Sequence, residues 1–305
     1  MNNELDSLKI NFDSNGLWIF NIVLAIIMFG VALGITIDDF KRLIKNPKIL
    51  FAGVFSQFIL FPALTFLFVK AINPAPSIAL GMFLVAACPG GNISNFMTQL
   101  AKGNAALSVS MTAFATLVSL IMTPLNFQFW SSMYEPSAEI LRTVKLDPMQ
   151  LVKVVILILG VPLILGMLFR HYKPLTAVKV MKILSPFSLI AFLILLVAAF
   201  YKNIFVFTDY IHYVLIIVIV HNIIGYLSGF YFAKTMRLSY KNQKTISIET
   251  GIQNAGLGLL LVFTFFDGIG GMALLVAFWA VWDIFSGIAL ASYWSIRNRS
   301  NPLKE

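Results

Sequence analysis

The sequence predicts an all-α integral membrane protein, and three observations carry that prediction. Apolar runs of about 20 residues follow one another along the chain, the length that crosses a bilayer as a helix. Of the 305 residues 59% are hydrophobic and 11% charged, with a mean hydropathy of +0.88. Soluble globular domains do not share that composition. The runs also lack the ten-residue alternation of a membrane β-barrel.

Nine spans are expected, at about 17–37, 47–70, 76–101, 104–128, 150–170, 181–202, 210–233, 245–266 and 270–295. The net charge of +9 is a loop property rather than a nucleic-acid footprint. With the N-terminus outside, 16 of the 22 Lys and Arg residues fall in inside loops and 6 in outside loops. Inside lie Lys41, Arg42, Lys45, Lys48, Lys102, Arg170, Lys173, Lys179, Lys182, Lys234, Arg237, Lys241, Lys244, Arg297, Arg299 and Lys304. The positive-inside rule then orients the chain N-terminus out and C-terminus in, as a multi-pass protein of an inner (cytoplasmic) membrane. Asn2, Asn3, Glu4 and Asp6 make the start polar and acidic, unlike a cleavable signal peptide. The one cysteine, Cys88, excludes an internal disulfide and reads as a packing residue.

Two of the spans are interrupted. Cys88-Pro-Gly-Gly-Asn-Ile-Ser-Asn95 sits in the middle of the third. Pro89 removes a backbone donor, and Gly90 and Gly91 permit dihedrals no helix uses. Freed backbone groups at membrane depth are tolerated only where protein or a water-lined cavity covers them. A helix broken there would start again near Asn92 with its amides turned to a cavity. Glu249-Thr-Gly-Ile-Gln-Asn-Ala-Gly-Leu-Gly258 interrupts the eighth span in the same way. An ionisable residue within a span marks a functional site by default, and here it is Glu249.

The polar stretch from about Gln128 to Gln150 leaves four spans before it and five after. Matched from their ends, the third span pairs with the eighth and the fourth with the ninth, an odd offset that makes partners run in opposite directions. The expected organisation is an inverted-topology repeat: residues 1–128, an extracellular connecting loop at 129–149, and residues 150–305. Two broken helices in corresponding positions are the mark of a secondary transporter.

Candidate ligating groups gather around the breaks. Gln57 lies mid-span, Ser94 and Asn95 follow the first break, and Ser108 and Thr112 share one face of the fourth span. With Glu249 they offer hydroxyl, carboxamide and carboxylate oxygens, which suit a hard monovalent cation and not zinc or copper. Ser and Thr also glue membrane helices together, and Ser108 or Thr112 alone reads that way. His221-Asn222, within the seventh span, reads as a structural hydrogen bond or a proton relay. Asp38 and Asp39 read as a solvated end of the first span, and Gly268-Ile-Gly-Gly271 as an outside turn with no strand before it to make a phosphate loop.

Cys88-Pro-Gly-Gly with Ser94-Asn95, Ala101-Lys-Gly-Asn104, Leu107-Ser-Val-Ser-Met-Thr112 and Glu249-Thr-Gly-Ile-Gln-Asn254 together resemble the bile acid:sodium symporter family, in order and spacing over nearly the whole chain. The resemblance implies a nine-span form. Its core domain would be spans two to four and seven to nine, with the two broken helices crossing, and its panel domain spans one, five and six. It implies two sodium ions. The first maps onto Ser94, Asn95, Ser108, Thr112 and Glu249. The second maps onto Gln57, Glu249 and Gln253 with the carbonyls of Thr250 and Ile252. A small organic anion would bind beside the crossing, at the amides of Asn92 and Ile93 and the side chain of Asn254. Asn92 stands where the family commonly has threonine. Trp282-Asp-Ile-Phe-Ser-Gly287 stands where it often has Trp-His-Asn, which puts Asp283 at the substrate side. A carboxylate there would repel an anion unless protonated or turned away.

The function expected is sodium-coupled uptake of a bile-acid-like, pantoate-like or keto-acid-like anion by alternating access. A proton-coupled carrier using Glu249 or Asp283, or a substrate that is not anionic, is the alternative. An enzyme is not expected, since no His/Cys/Asp cluster has suitable spacing. The expected partners are the lipid bilayer and the small-molecule substrate, without nucleic acid or an obligatory protein partner.

Overall fold

The computed structural model describes residues 5, 6, 8–10, 14–144 and 147–300. Asn2, Asn3, Glu4 and Lys304 lie outside the described residues. Among the described residues the chain is helical, with no strand and two isolated β-bridges.

Helix α1 (Ser14–Ala32) is followed at a sharp bend by the short α2 (Ile37–Ile44), opened by a reciprocal Thr36–Asp39 cap. Asp39 is therefore part of a cap, while Asp38 stays exposed beside Lys41. α3 (Pro47–Ile72) contains a π-helical turn at Ser56–Leu60. The cause lies downstream: Pro62 has no N–H for the carbonyl of Phe58, and Asn126 Nδ2 supplies that donor at 2.9 Å. Gln57 lies in this π turn.

α4 (Pro76–Ala87) and α5 (Ile93–Leu100) are the two halves of the first broken helix. α6 (Ala105–Met133) follows, then α7 (Glu135–Val144). The stretch predicted as a loop at 129–149 is thus largely helical in its described residues. Its polar composition reflects an amphipathic α7, which buries Ser137, Ala138 and Leu141 against the bundle and pairs Glu135 with Arg142. α8 (Met149–Tyr172) and α9 (Pro174–Lys202) lead to the long α10 (Ile204–Thr235). α9 and α10 both begin about six residues before the predicted span starts. Chain that leaves the apolar layer simply stays helical.

α11 (Tyr240–Gly251) and α12 (Ala255–Phe265) form the second broken helix, and α13 (Gly270–Ser300) closes the chain. Among the described residues, by length and composition, α3, α6, α8 and most of α10 and α13 can cross a membrane, and the bent α1–α2 pair brings that count to as many as six. α4 and α12 are shorter apolar helices.

α1 packs on α8 and α9. The broken helices are enclosed by α3, α6, α10 and α13. α10 and α11 approach closely because Gly225 and Gly229 are four residues apart: a Cβ on Gly229 would stand 2.7 Å from the carbonyl of Ile246. The largest apolar core runs through α4, α12 and the first half of α13, where nearly every residue is buried.

Candidate ion and substrate site

Both breaks leave the helix in extended conformation, at Cys88 (φ −69°, ψ 154°) and at Ile252 (φ −97°, ψ 117°). Two extended strips can pair, and these do. Gly91 N donates to Ile252 O at 3.0 Å, and Asn254 N donates to Pro89 O at 2.9 Å. Each break thus satisfies backbone groups that the other has freed, as buried backbone requires. The approach depends on a missing side chain: a Cβ on Gly91 would lie 2.7 Å from the carbonyl oxygen of Gln253.

On one side of this crossing sits Glu249, in the last turn of α11 and 4% exposed. Three hydroxyls converge on its carboxylate. Ser94 Oγ, in the first turn of α5, donates to Oε1 at 2.7 Å, and Ser108 Oγ donates to the same oxygen. Thr112 Oγ1, one turn further along α6, donates to Oε2 at 2.9 Å. Asn95 Oδ1 lies 3.3 Å from Thr112 Oγ1. Among the described residues no Lys, Arg or His forms an ion pair with Glu249. A carboxylate at membrane depth without a cation is costly even when hydrogen-bonded. Every donor here is a hard oxygen, and among the described residues no group of three or more His, Cys, Asp or Glu forms. The set fits an alkali cation better than a transition metal.

On the other side lies Gln57, whose Nε2 donates to Cys88 O and to Gln253 Oε1, both at 2.9 Å. Gln253 Nε2 donates to Thr250 O at 2.7 Å. The carbonyls of Thr250 and Ile252 are therefore both engaged by protein donors. Glu249 makes no direct bond to Gln57 or Gln253; Gly90 lies between, where a Cβ would meet Glu249 Oε2 at 3.1 Å.

Of the expected substrate-facing groups, Asn92 and Ile93 are partly buried, and neither amide hydrogen-bonds within the described residues. Asn254 Oδ1 caps α12 by accepting from Leu257 N at 3.0 Å, which leaves its Nδ2 as the remaining donor. Asp283 is turned into the protein. Its Oδ2 accepts the Gln253 amide at 2.9 Å, and its Oδ1 accepts Asn222 Nδ2 at 3.1 Å. That same Asn222 nitrogen donates to Gly251 O at 2.9 Å. His221 makes a hydrogen bond between helices, 2.7 Å from Thr65 Oγ1, with its ring against Phe61 and Trp279.

Asn222, Thr123 and Asn126, which no sequence pattern marks as ligands, prop up the site. Thr123 Oγ1 donates to Ala87 O at 2.7 Å, just before the first break. The usable signal was a polar residue beside Pro124, or beside His221, inside an otherwise apolar run.

A family profile for the Sodium Bile acid symporter family matches residues 21–210. The chain belongs to that family. As a member of the Sodium Bile acid symporter family it is a multi-pass membrane protein of a sodium-dependent transporter group. It is 35% identical over 294 residues to the uncharacterized sodium-dependent transporter YocS of Bacillus subtilis, covering 94% of this chain and 87% of that one. It is 31% identical over 279 residues to the probable chloroplastic sodium/metabolite cotransporter BASS1 of Arabidopsis thaliana, covering 92% of this chain and 66% of that protein. To the human ileal sodium/bile acid cotransporter it is 30% identical over 243 residues, covering 78% of this chain and 67% of that one.

Proposed function

We propose that the chain is a symporter that couples sodium to the uptake of a small organic anion of the bile-acid, pantoate or keto-acid kind, by alternating access. One observation carries the reading. Hydroxyls from α5 and α6 meet the Glu249 carboxylate of α11 beside a crossing where two broken helices share their hydrogen bonds. A cation taken up there would offset the charge of Glu249 and tie the first broken helix to the second.

The first cation site would use Ser94, Asn95, Ser108, Thr112 and Glu249. The second would use Gln57, Glu249, Gln253 and the carbonyls of Thr250 and Ile252, freed from their present donors. Two sodium ions with one monoanion move one net charge inward, which gains about 2.3 kcal/mol per 100 mV. The anion would meet the amides of Asn92 and Ile93 and the Nδ2 of Asn254. Asp283 would act as an acceptor that steadies the second break, and its inward orientation is compatible with an anionic substrate because its carboxylate is engaged by Asn222 and the Gln253 amide.

In this reading the chain spans nine times with an inverted repeat, N-terminus outside and C-terminus inside. The reciprocal bonding of the breaks supports the repeat, since each gives one amide and takes one, as a two-fold relation requires. α3–α6 with α10–α13 would be the core, moving against a panel of α1, α8 and α9. Ion and anion binding would be reciprocally coupled through the position of α5. The test is a thermal-shift screen of small carboxylates on purified protein, in sodium and in potassium. The reading expects carboxylate-induced stabilisation that requires sodium. Stabilisation of equal size in potassium, or driven by acid pH alone, would replace sodium coupling with another cation or the proton.

A further inference from the structure

The motif Ala101-Lys-Gly-Asn104 has no part in the ion cluster, yet it joins the two helices that supply the hydroxyls. α5 ends there in a tight closing turn. Gly103 N donates to Thr98 O at 2.8 Å and Lys102 N donates to Gln99 O at 3.1 Å, with Lys102 left-handed at φ 53°. α6 begins at Asn104, whose Oδ1 accepts from Leu107 N at 3.1 Å. Ser94 and Ser108 therefore sit either side of one short hinge.

The second broken helix clasps that hinge. Lys244 Nζ donates to Ala101 O at 2.7 Å and to Lys102 O at 2.9 Å, and the side chain is 0% exposed. Its ammonium also lies 5.2 Å from the centre of the Tyr240 ring. Asn104 N donates to Thr245 Oγ1 at 2.9 Å, and Asn104 Nδ2 donates to Asn242 Oδ1 at 2.9 Å. The hinge admits no side chain at its closest point, since a Cβ on Gly103 would stand 2.9 Å from Thr245 Oγ1. A buried ammonium is tolerated where fixed acceptors replace its water. The carbonyls at the C-terminal end of α5 are such acceptors, and they carry the negative end of that helix's dipole.

Thr245 precedes Glu249 by four residues on α11, so the two share a face about 6 Å apart along the axis. We propose that Lys244 and Thr245 form a latch that sets the rise and rotation of Glu249 relative to the hydroxyls of α5 and α6, which makes Lys244 a positioning residue for cation affinity. The inference rests on the sodium reading of the Glu249 cluster and adds residues that are not among its ligands.

The experiment is a sodium titration of melting temperature at constant ionic strength, balanced with choline, for the wild type, Lys244→Met and Lys244→Arg. Lys244→Met is expected to raise half-saturating sodium about fivefold or more. Lys244→Arg keeps a charge and donors in a larger, planar head, and is expected to raise half-saturating sodium less than Lys244→Met does. A Lys244→Met protein that melts lower without sodium yet half-saturates as the wild type does would overturn the proposal, because the clasp would then be structural only. If Lys244→Met does not fold, Thr245→Val removes the acceptor of the Asn104 amide without stranding a charge. It is expected to shift half-saturation in the same direction, and an unchanged value overturns the proposal equally. A wild type whose melting temperature ignores sodium sinks the ion assignment itself and this inference with it.

Discussion

Replacing Thr112 with valine removes one oxygen from the candidate cation site and nearly nothing else. The side chain is almost fully buried, its hydroxyl is 2.9 Å from Glu249 Oε2, and valine keeps its branched shape. As a ligand, that oxygen is expected to contribute about 1–2 kcal/mol of differential binding, between the net worth of a neutral hydrogen bond and that of one to a charged group. Half-saturating sodium should then rise about 5–30-fold. At a sodium concentration one hundred times the wild-type dissociation constant, binding stabilises the wild type by about 2.7 kcal/mol. A site ten times weaker gains about 1.4 kcal/mol under the same conditions, so the sodium-induced shift roughly halves. The assay is a thermal melt in detergent across a sodium series at constant ionic strength. Thr116→Val is the control, since Thr116 lies one turn along α6 and its hydroxyl, among the described residues, bonds only the Thr112 carbonyl of its own helix, at 2.7 Å. Identical half-saturation in Thr112→Val, Thr116→Val and wild type would refute the assignment of Thr112 as a ligand.

Three further outcomes follow from the geometry. Gly91→Ala drives a methyl against the Gln253 carbonyl, backbone against backbone, and should lower stability by about 1–3 kcal/mol in thermal melts. Asp283→Leu orphans the Gln253 backbone amide, at about 1–3 kcal/mol for an unsatisfied donor, and takes one of two acceptors from Asn222 Nδ2, which keeps Gly251 O, while Asp283→Asn keeps an acceptor and loses less. Arg237→Gly relieves an exposed left-handed residue (φ 52°) at the end of α10, and should raise the melting temperature slightly with no change in sodium response.

Much of the site was legible because the chain breaks its own rules there. A proline and two glycines inside an apolar run announce a break, and a lone glutamate inside another announces a site. The convergence of Ser94, Ser108 and Thr112 on Glu249 follows from residues that the sequence had already grouped. The exchange of hydrogen bonds between Gly91 and Ile252, and between Asn254 and Pro89, could not be read, because it depends on how two distant segments meet. The direction of Asp283 was equally hidden: its partners, Asn222 and the Gln253 amide, lie 61 and 30 residues away in the chain. The π turn that carries Gln57 leaves only Pro62 as a trace. α7 was missed because its polarity resembles that of a loop, whereas the spacing of Ser137, Ala138 and Leu141 places one face on the bundle. Lys244 was counted as a loop cation by the charge-bias rule, which knows nothing of burial.

The most direct test of the account is equilibrium binding of radioactive sodium to the purified protein and to its Glu249→Gln variant. The wild type should bind sodium saturably and without competition from potassium. The variant should lose that binding while its melting temperature in sodium-free buffer stays close to the wild type's. Saturable sodium binding of unchanged affinity in Glu249→Gln would contradict the claim that the crossing of the two broken helices holds the coupling ion.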